Sequence, residues 1–325
     1  MRNVRVSRRD ALFTTVAAFS AVACGESCSK NPLASTPVFE IPSSAIARED
    51  AGVPLRGQVR LRSWQFNARP GTAESAAATA IVPAWGGPGE KYPLLIALHG
   101  RGEAMKPPLE GSMGWPRDYA LVRAVSRLCN PPLTALDFET FVEAPHLADA
   151  NRALGVLPFQ GLVVLCPHLP DVDTRDPKRI DEFTSFLFRE VVPRAVRELP
   201  VLDDPKRTGI DGVSLGGAAA LWTGLRSPER FGTVGTLQPA IGEGDAPAIA
   251  DALAKARDKN PKLAFRLLTS DGDYFRGAVE AADKALQARG LAHDFAVVPG
   301  PHDYPFNRGP GALEMLLWHD RLLRS

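Results

Sequence analysis

Among the residues that could do covalent chemistry, Ser214 has the most informative neighbourhood. It lies in Gly212-Val213-Ser214-Leu215-Gly216-Gly217, with a glycine two positions away on each side. The run from Thr208 to Val213 is short, apolar and β-branched around Asp211, and the run from Gly217 to Leu225 is rich in alanine and leucine. The predicted order is therefore strand, tight turn, helix, with the serine at the apex. A nucleophile at such a turn is pushed into the open, and side chains at the flanking glycines would collide with the chain. The helix that follows points its free N–H groups at whatever the serine holds. Turns collect glycine and serine, so the string decides nothing by itself. Its partners must decide.

A serine hydroxyl needs a base to take its proton and a carboxylate to orient that base. The chain has six histidines. His302 follows the last apolar run in the turn Gly300-Pro301-His302-Asp303, where a histidine has no structural task, and it is the expected base. His99 ends an apolar run and shapes a loop. His146 and His168 lie in loops, His293 at the polar start of a strand, and His319 on the surface of the C-terminal helix. The acid is expected downstream of the serine and upstream of the base. Ser270-Asp271-Gly272-Asp273 offers two, and either Asp271 or Asp273 can serve while the other forms the turn. Serine, aspartate, histidine is the α/β-hydrolase order. Donors for an oxyanion are expected from the N–H of Leu215 and from His99-Gly100-Arg101-Gly102, with the N–H of Arg101 favoured over that of Gly102.

These groups need a frame. Tyr92–Leu98 and Gly161–Cys166 are continuous apolar runs, the mark of strands buried on both faces. Thr208–Val213, Phe231–Leu237, Leu263–Leu268 and Ala292–Val298 complete the central set, and runs of helical period lie between them. Gly57–Phe66 alternates apolar and polar, and with Ala76–Pro83 it reads as an antiparallel edge. Strands alternating with helices predict a mostly parallel eight-stranded sheet between helical layers. Ligands bind such sheets at the carboxyl ends of the strands, where His99, Ser214, Asp271, Asp273 and His302 fall. About 60 residues separate Gly102 from Gly161, more than a simple crossover needs. Residues 103–160 are thus expected to form a cap-like insertion. Trp115 in that insertion, with Phe275 and His99, is a candidate for the substrate pocket, and Tyr119 and Phe306 are further aromatic candidates.

At 325 residues and 45% hydrophobic residues the chain can bury a large core. Its net charge of +1, with no basic run beyond the N-terminus, argues against nucleic acid as a partner. Residues 1–23 read as an export signal. Arg8-Arg9 resembles a twin-arginine motif, Ala11–Ala23 is an apolar stretch too short to span a membrane, and Ala21-Val22-Ala23 fits a cleavage site. Cys24 would then be a lipidation point and the one route to membrane attachment. The expected location is the bacterial envelope, periplasmic or anchored at Cys24, or secreted. Residues 24–56 read as a tether or strap, and 57–325 as the folded domain. Cys129 and Cys166 can pair in an oxidising compartment or stay as buried thiols. No cysteine spacing points to a metal.

Leu98–Gly102, Gly212–Gly217, Gly272-Asp273-Tyr274-Phe275 and Gly300-Pro301-His302-Asp303 together resemble the α/β-hydrolase superfamily over roughly 60–323. Within it the chain is similar to the esterase group that includes esterase D and the feruloyl esterases. The start Leu-His-Gly-Arg-Gly is also similar to the phospholipase/carboxylesterase group. The resemblance implies a three-layer α/β sandwich and a serine hydrolase that needs no cofactor. In those relatives the acid follows a glycine and precedes an x-Phe pair, which implies Asp273. The substrate implied is a small-molecule or polysaccharide-linked carboxylic ester. The alternatives are a peptidase, thioesterase or acyltransferase using the same residues, or an envelope binding module without catalysis.

Overall fold

Eight strands form one sheet in the order β1-β2-β4-β3-β5-β6-β7-β8 in the computed structural model. The folded unit runs over Val38–Ser325, and within it the structure describes residues 40–48, 54–67 and 76–324. The export signal, Cys24 and most of the strap lie outside the described residues. What is described of the strap rests on the domain: Ile46 bridges Val59 and Ala45 is buried.

The strands are β1 (Val59–Phe66), β2 (Ala76–Pro83), β3 (Leu94–Leu98), β4 (Val163–Pro167), β5 (Thr208–Gly212), β6 (Thr233–Leu237), β7 (Ala264–Gly272) and β8 (Asp294–Pro301). β1 pairs antiparallel with β2, and β2 antiparallel with β4; every other pairing is parallel. The antiparallel edge and the parallel centre are thus those expected. In β3, β4, β5 and β6 every residue is buried, because helices cover both faces. The two-residue period divides β3 between two cores. Leu94, Ile96 and Leu98 pack with the helices Pro177–Phe186, Leu215–Arg226, Ala246–Lys259 and Arg276–Ala288 on one face. Leu95 and Ala97 face Leu121–Cys129 and Ala312–Leu322 on the other.

The insertion divides into two parts. Glu103 and Tyr119 of the insertion line a cavity at the serine, with Arg101 and Gly102 just before it. The helix Leu121–Cys129 is instead laid along the sheet, with Leu121, Val125 and Leu128 in the second core. Its apolar stripe needed an apolar partner, and the sheet face supplied one larger than the strand ends could. Cys129 and Cys166 are free and buried. Burial pushes the Cys129 thiol up to about 12 and raises that of Cys166 as well, so both stay protonated.

His319 is not on the surface but wholly buried between its helix and the sheet. Its Nε2 lies 3.0 Å from Asp211 Oδ2 and its Nδ1 2.8 Å from Thr233 Oγ1. Arg266 donates to the same Asp211 oxygen at 3.0 Å, and the Gly212 N–H to Asp211 Oδ1 at 2.7 Å. A buried aspartate three positions before the apex of the turn is therefore fully partnered, as a buried charge must be.

Candidate active site

The turn after β5 carries Ser214 at φ 56° and ψ −117°. Glycine alone adopts that conformation at ease, so a serine held there is strained. Neighbouring backbone holds it: the Ser214 N–H donates to the Leu237 carbonyl at 3.0 Å, and its own carbonyl accepts from Ala240 at 2.9 Å. The flanking glycines make the turn fit. A methyl on Gly216 would overlap the carbonyls of Leu98 and His99, and one on Gly212 would overlap the Gly216 carbonyl. Gly216→Ala is accordingly expected to cost about 1–3 kcal/mol in stability by overpacking. It should also push the His99–Gly102 loop away from the serine. A lower urea midpoint together with slower ester turnover is the expected pair of observations.

Ser214 Oγ lies 3.0 Å from His302 Nε2. His302 Nδ1 lies 2.7 Å from Asp273 Oδ1. That carboxylate also accepts from the Phe275 N–H at 2.9 Å and, through Oδ2, from the Thr269 hydroxyl at 2.6 Å. A carboxylate facing Nδ1 leaves the lone pair on Nε2 toward the serine. Asp271 has a different place. Its side chain turns from the serine and accepts the Gly300 N–H at 2.9 Å, which ties the end of β7 to the turn bearing His302. The two aspartates left open by spacing are therefore separated by orientation.

Leu215 is the first residue of the helix Leu215–Arg226, and Arg101 the first of the short helix Arg101–Ala104. The first N–H groups of a helix have no acceptor within it, so both are free to meet an oxyanion. Gly102 is the second residue of the same short helix. The Arg101 side chain places its Nε 2.9 Å from Asp171 Oδ1. It does not pair with Glu103. Glu103 is buried and takes the hydroxyls of Tyr119 and Tyr304 instead.

Two cavities meet at the serine. One of about 430 Å³ is lined by Asp171, Thr174, Leu215 and Phe275, and one of about 180 Å³ by Glu103, Tyr119, Gln238, His302 and Tyr304. Arg101, Ser214 and Tyr274 border both. Tyr274 is 72% exposed and lies over the His302 imidazole, ring centroids 4.2 Å apart, so it covers the histidine on the solvent side. Tyr274 carried no signal in the sequence beyond its place beside the acid.

Of the three residues expected in the pocket, Phe275 lines the larger cavity. His99 and Trp115 do not reach either. Trp115 is wholly buried, packs against Tyr119 and donates its indole N–H to the Leu98 carbonyl at 2.9 Å. The apolar body of a tryptophan gains more from the core than from a cleft, provided its N–H finds an acceptor. His99 accepts the Leu169 N–H on Nε2 at 3.0 Å, with Nδ1 3.0 Å from the Gly100 carbonyl, so it pins the donor loop from behind. Phe306 is also core, and His146 pairs with Glu314 at 2.6 Å, away from the serine.

Burial depresses the His99 imidazole to about 4. The unfolded chain, with an ordinary histidine near 6.5, therefore binds more protons than the folded one between these values. Stability is complete above about pH 6.5 and falls as pH drops toward 4, by about 3 kcal/mol in all from this residue. His319, lowered by burial too, acts in the same direction. Urea midpoints at pH 7.5 and 5 should differ in that sense, and His99→Gln should flatten the slope without abolishing it.

Among the described residues no group of three or more His, Cys, Asp or Glu is placed to hold a metal, and no helix is long and apolar enough to cross a membrane. Residues 171–306, which include Ser214, Asp273 and His302, match a family described as "Putative esterase". Over 45 residues the chain is 53% identical to the iron(III) enterobactin esterase of Dickeya dadantii (strain 3937). That match spans 14% of this chain and only 10% of that protein. A ferulic acid esterase superposes with a TM-score of 0.58 at 16% identity, covering 82% of this chain and 99% of its own. The S-formylglutathione hydrolase of Staphylococcus aureus superposes at 0.57 and 15% identity, covering 83% and 100%. At such identities the likeness to solved structures is one of fold. The sheet order and the superpositions give the chain an α/β-hydrolase fold, and its segment 171–306 is similar to esterases.

Proposed function

We propose that this protein cleaves carboxylic esters through a covalent acyl-enzyme on Ser214. The observation that carries the reading is the unbroken hydrogen-bonded chain from Ser214 through His302 to Asp273 at a strained turn. His302 Nε2 takes the hydroxyl proton as Oγ attacks the ester carbonyl. The negative oxygen that forms is held by the N–H groups of Leu215 and Arg101, with the N–H of Gly102 beside them. Asp273 keeps the proton of His302 on Nδ1 and stabilises the imidazolium. The tetrahedral intermediate collapses when His302 returns its proton to the departing alcohol. Water, deprotonated by the same nitrogen, then releases the acid and restores Ser214.

The two cavities meeting at Ser214 allow one for each side of the ester. Both are bordered by aromatic rings and charged or polar side chains rather than by a long aliphatic channel. That favours small-molecule esters with aromatic or polar parts over long-chain lipids. A fluorophosphonate probe tests the assignment, since only an activated serine reacts with it. Labelling at Ser214 alongside turnover of a short p-nitrophenyl ester is the expected result. A folded protein that shows neither would be a binding module on a hydrolase scaffold.

A further inference from the structure

Glu103 is 1% exposed yet carries a carboxylate. A carboxylate taken out of water is costly unless its oxygens are hydrogen-bonded. Here they are. Tyr119 donates its hydroxyl to Oε2, Tyr304 donates to Oε1 at 2.7 Å, and Lys106 Nζ lies 3.7 Å away. The three partners come from separate places. Tyr119 belongs to the insertion, Tyr304 is two residues beyond His302, and Glu103 is the third residue of the short helix that Arg101 opens. The Tyr119 oxygen in turn accepts the Gly100 N–H at 3.2 Å. The glycines of the donor loop pack directly on these hydroxyls: a methyl on Gly100 would sit 3.2 Å from that of Tyr119, and one on Gly102 3.4 Å from that of Tyr304. Burial is the first cause raising both tyrosines, and Glu103 raises them further, so both remain donors.

From this geometry we infer that Glu103 is a positioning residue for ester cleavage: through Tyr119 and Tyr304 it locks the Gly100–Gly102 donor loop against the turn carrying His302. The inference rests on the esterase reading above. The Arg101 oxyanion donor sits on one of these segments and the proton carrier on the other, and their separation matters to a few tenths of an ångström. Glu103 and the two tyrosines form a side-chain link between those segments. Lys106, held 2.9 Å from Asp118, balances the buried charge on the side away from the serine.

Glu103→Gln and Tyr304→Phe in the full chain test this. Each removes one acceptor or donor and little volume. Each should lower kcat about 10- to 100-fold, part of what losing one oxyanion donor costs, with KM within about threefold. Affinity for a trifluoromethyl ketone, which forms a tetrahedral adduct on Ser214, should fall in step with kcat/KM, while the pH profile keeps its shape. Wild-type kcat and ketone affinity in folded variants would overturn the inference, even with a lowered melting temperature, because Glu103 would then serve stability only. A fall in KM-type binding with kcat unchanged would overturn it as well. Failure of the esterase reading is seen separately, as a wild-type chain that neither hydrolyses esters nor binds the ketone.

Discussion

Ser214→Ala is expected to lower kcat for a short p-nitrophenyl ester by about 10⁵- to 10⁶-fold, the scale on which a serine nucleophile is lost. The fold should survive, because the Ser214 side chain makes one hydrogen bond, to His302 Nε2, and the turn is held by backbone hydrogen bonds. The residual rate should still exceed that in water by about 10³- to 10⁴-fold, since the N–H groups of Leu215 and Arg101 remain in place. Ser214→Gly separates strain from chemistry. At φ 56° and ψ −117° glycine is at ease where serine is not, so this variant should be more stable than Ser214→Ala by about 1–3 kcal/mol while equally inactive. Urea midpoints and initial rates, measured side by side, read both quantities. Hydrolysis surviving in Ser214→Ala would remove the serine from the mechanism. Ser214→Gly no more stable than Ser214→Ala would show that the turn is not strained as its dihedrals indicate.

The strands and the serine were legible because their signals are local. Leu94–Leu98 and Val163–Pro167 are apolar at every position but the last proline, and a run of that length with no polar side has one stable place, between two helical layers. Ser214 announced itself through glycines that any side chain would have forced apart. His302 could be reached by elimination among six histidines. What could not be read depends on which way a side chain turns. Trp115 and His99 stand in a glycine-rich loop near the serine, and sequence cannot tell a ring aimed at the cleft from one aimed at the sheet. His319 sits on a helix whose buried face is set by Asp211 and Thr233, 108 and 86 positions away. Glu103 carried no signal of its own, because its partners Tyr119 and Tyr304 are 16 and 201 positions distant. The insertion is a related case: its length marked it as extra, while the place of Leu121–Cys129 within it follows from the apolar face that packs on the sheet.

Asp273→Asn and Asp271→Asn, two positions apart in one turn, are expected to differ by about three orders of magnitude in kcat. At position 273 the Phe275 N–H and the Thr269 hydroxyl both point at the carboxylate. An asparagine there can keep its oxygen toward Phe275 and His302, with its amide turned to the Thr269 oxygen, so the imidazole stays in place. It cannot supply the negative charge that stabilises the imidazolium, and in the flipped orientation it would put the Nδ1 lone pair toward itself and a proton on Nε2. Either way the base is disabled, at a cost of about 10³- to 10⁴-fold. At position 271 the carboxylate does one thing, accepting the Gly300 N–H. An asparagine oxygen accepts that bond equally well, and the expected change in kcat is less than about threefold, as for an ordinary neutral replacement in a hydrogen bond that is kept. Asp271→Ala, which drops the bond, should loosen the turn that carries His302 and fall between the two. The ordering of the three variants is the decisive quantity, because loss of folding would lower all rates through the fraction of active protein and not through kcat per titrated site. Active-site titration with a fluorophosphonate normalises for that. If Asp271→Asn then proved as damaging as Asp273→Asn, the orientation of the two side chains around His302 would have to be reversed, and with it the identity of the acid.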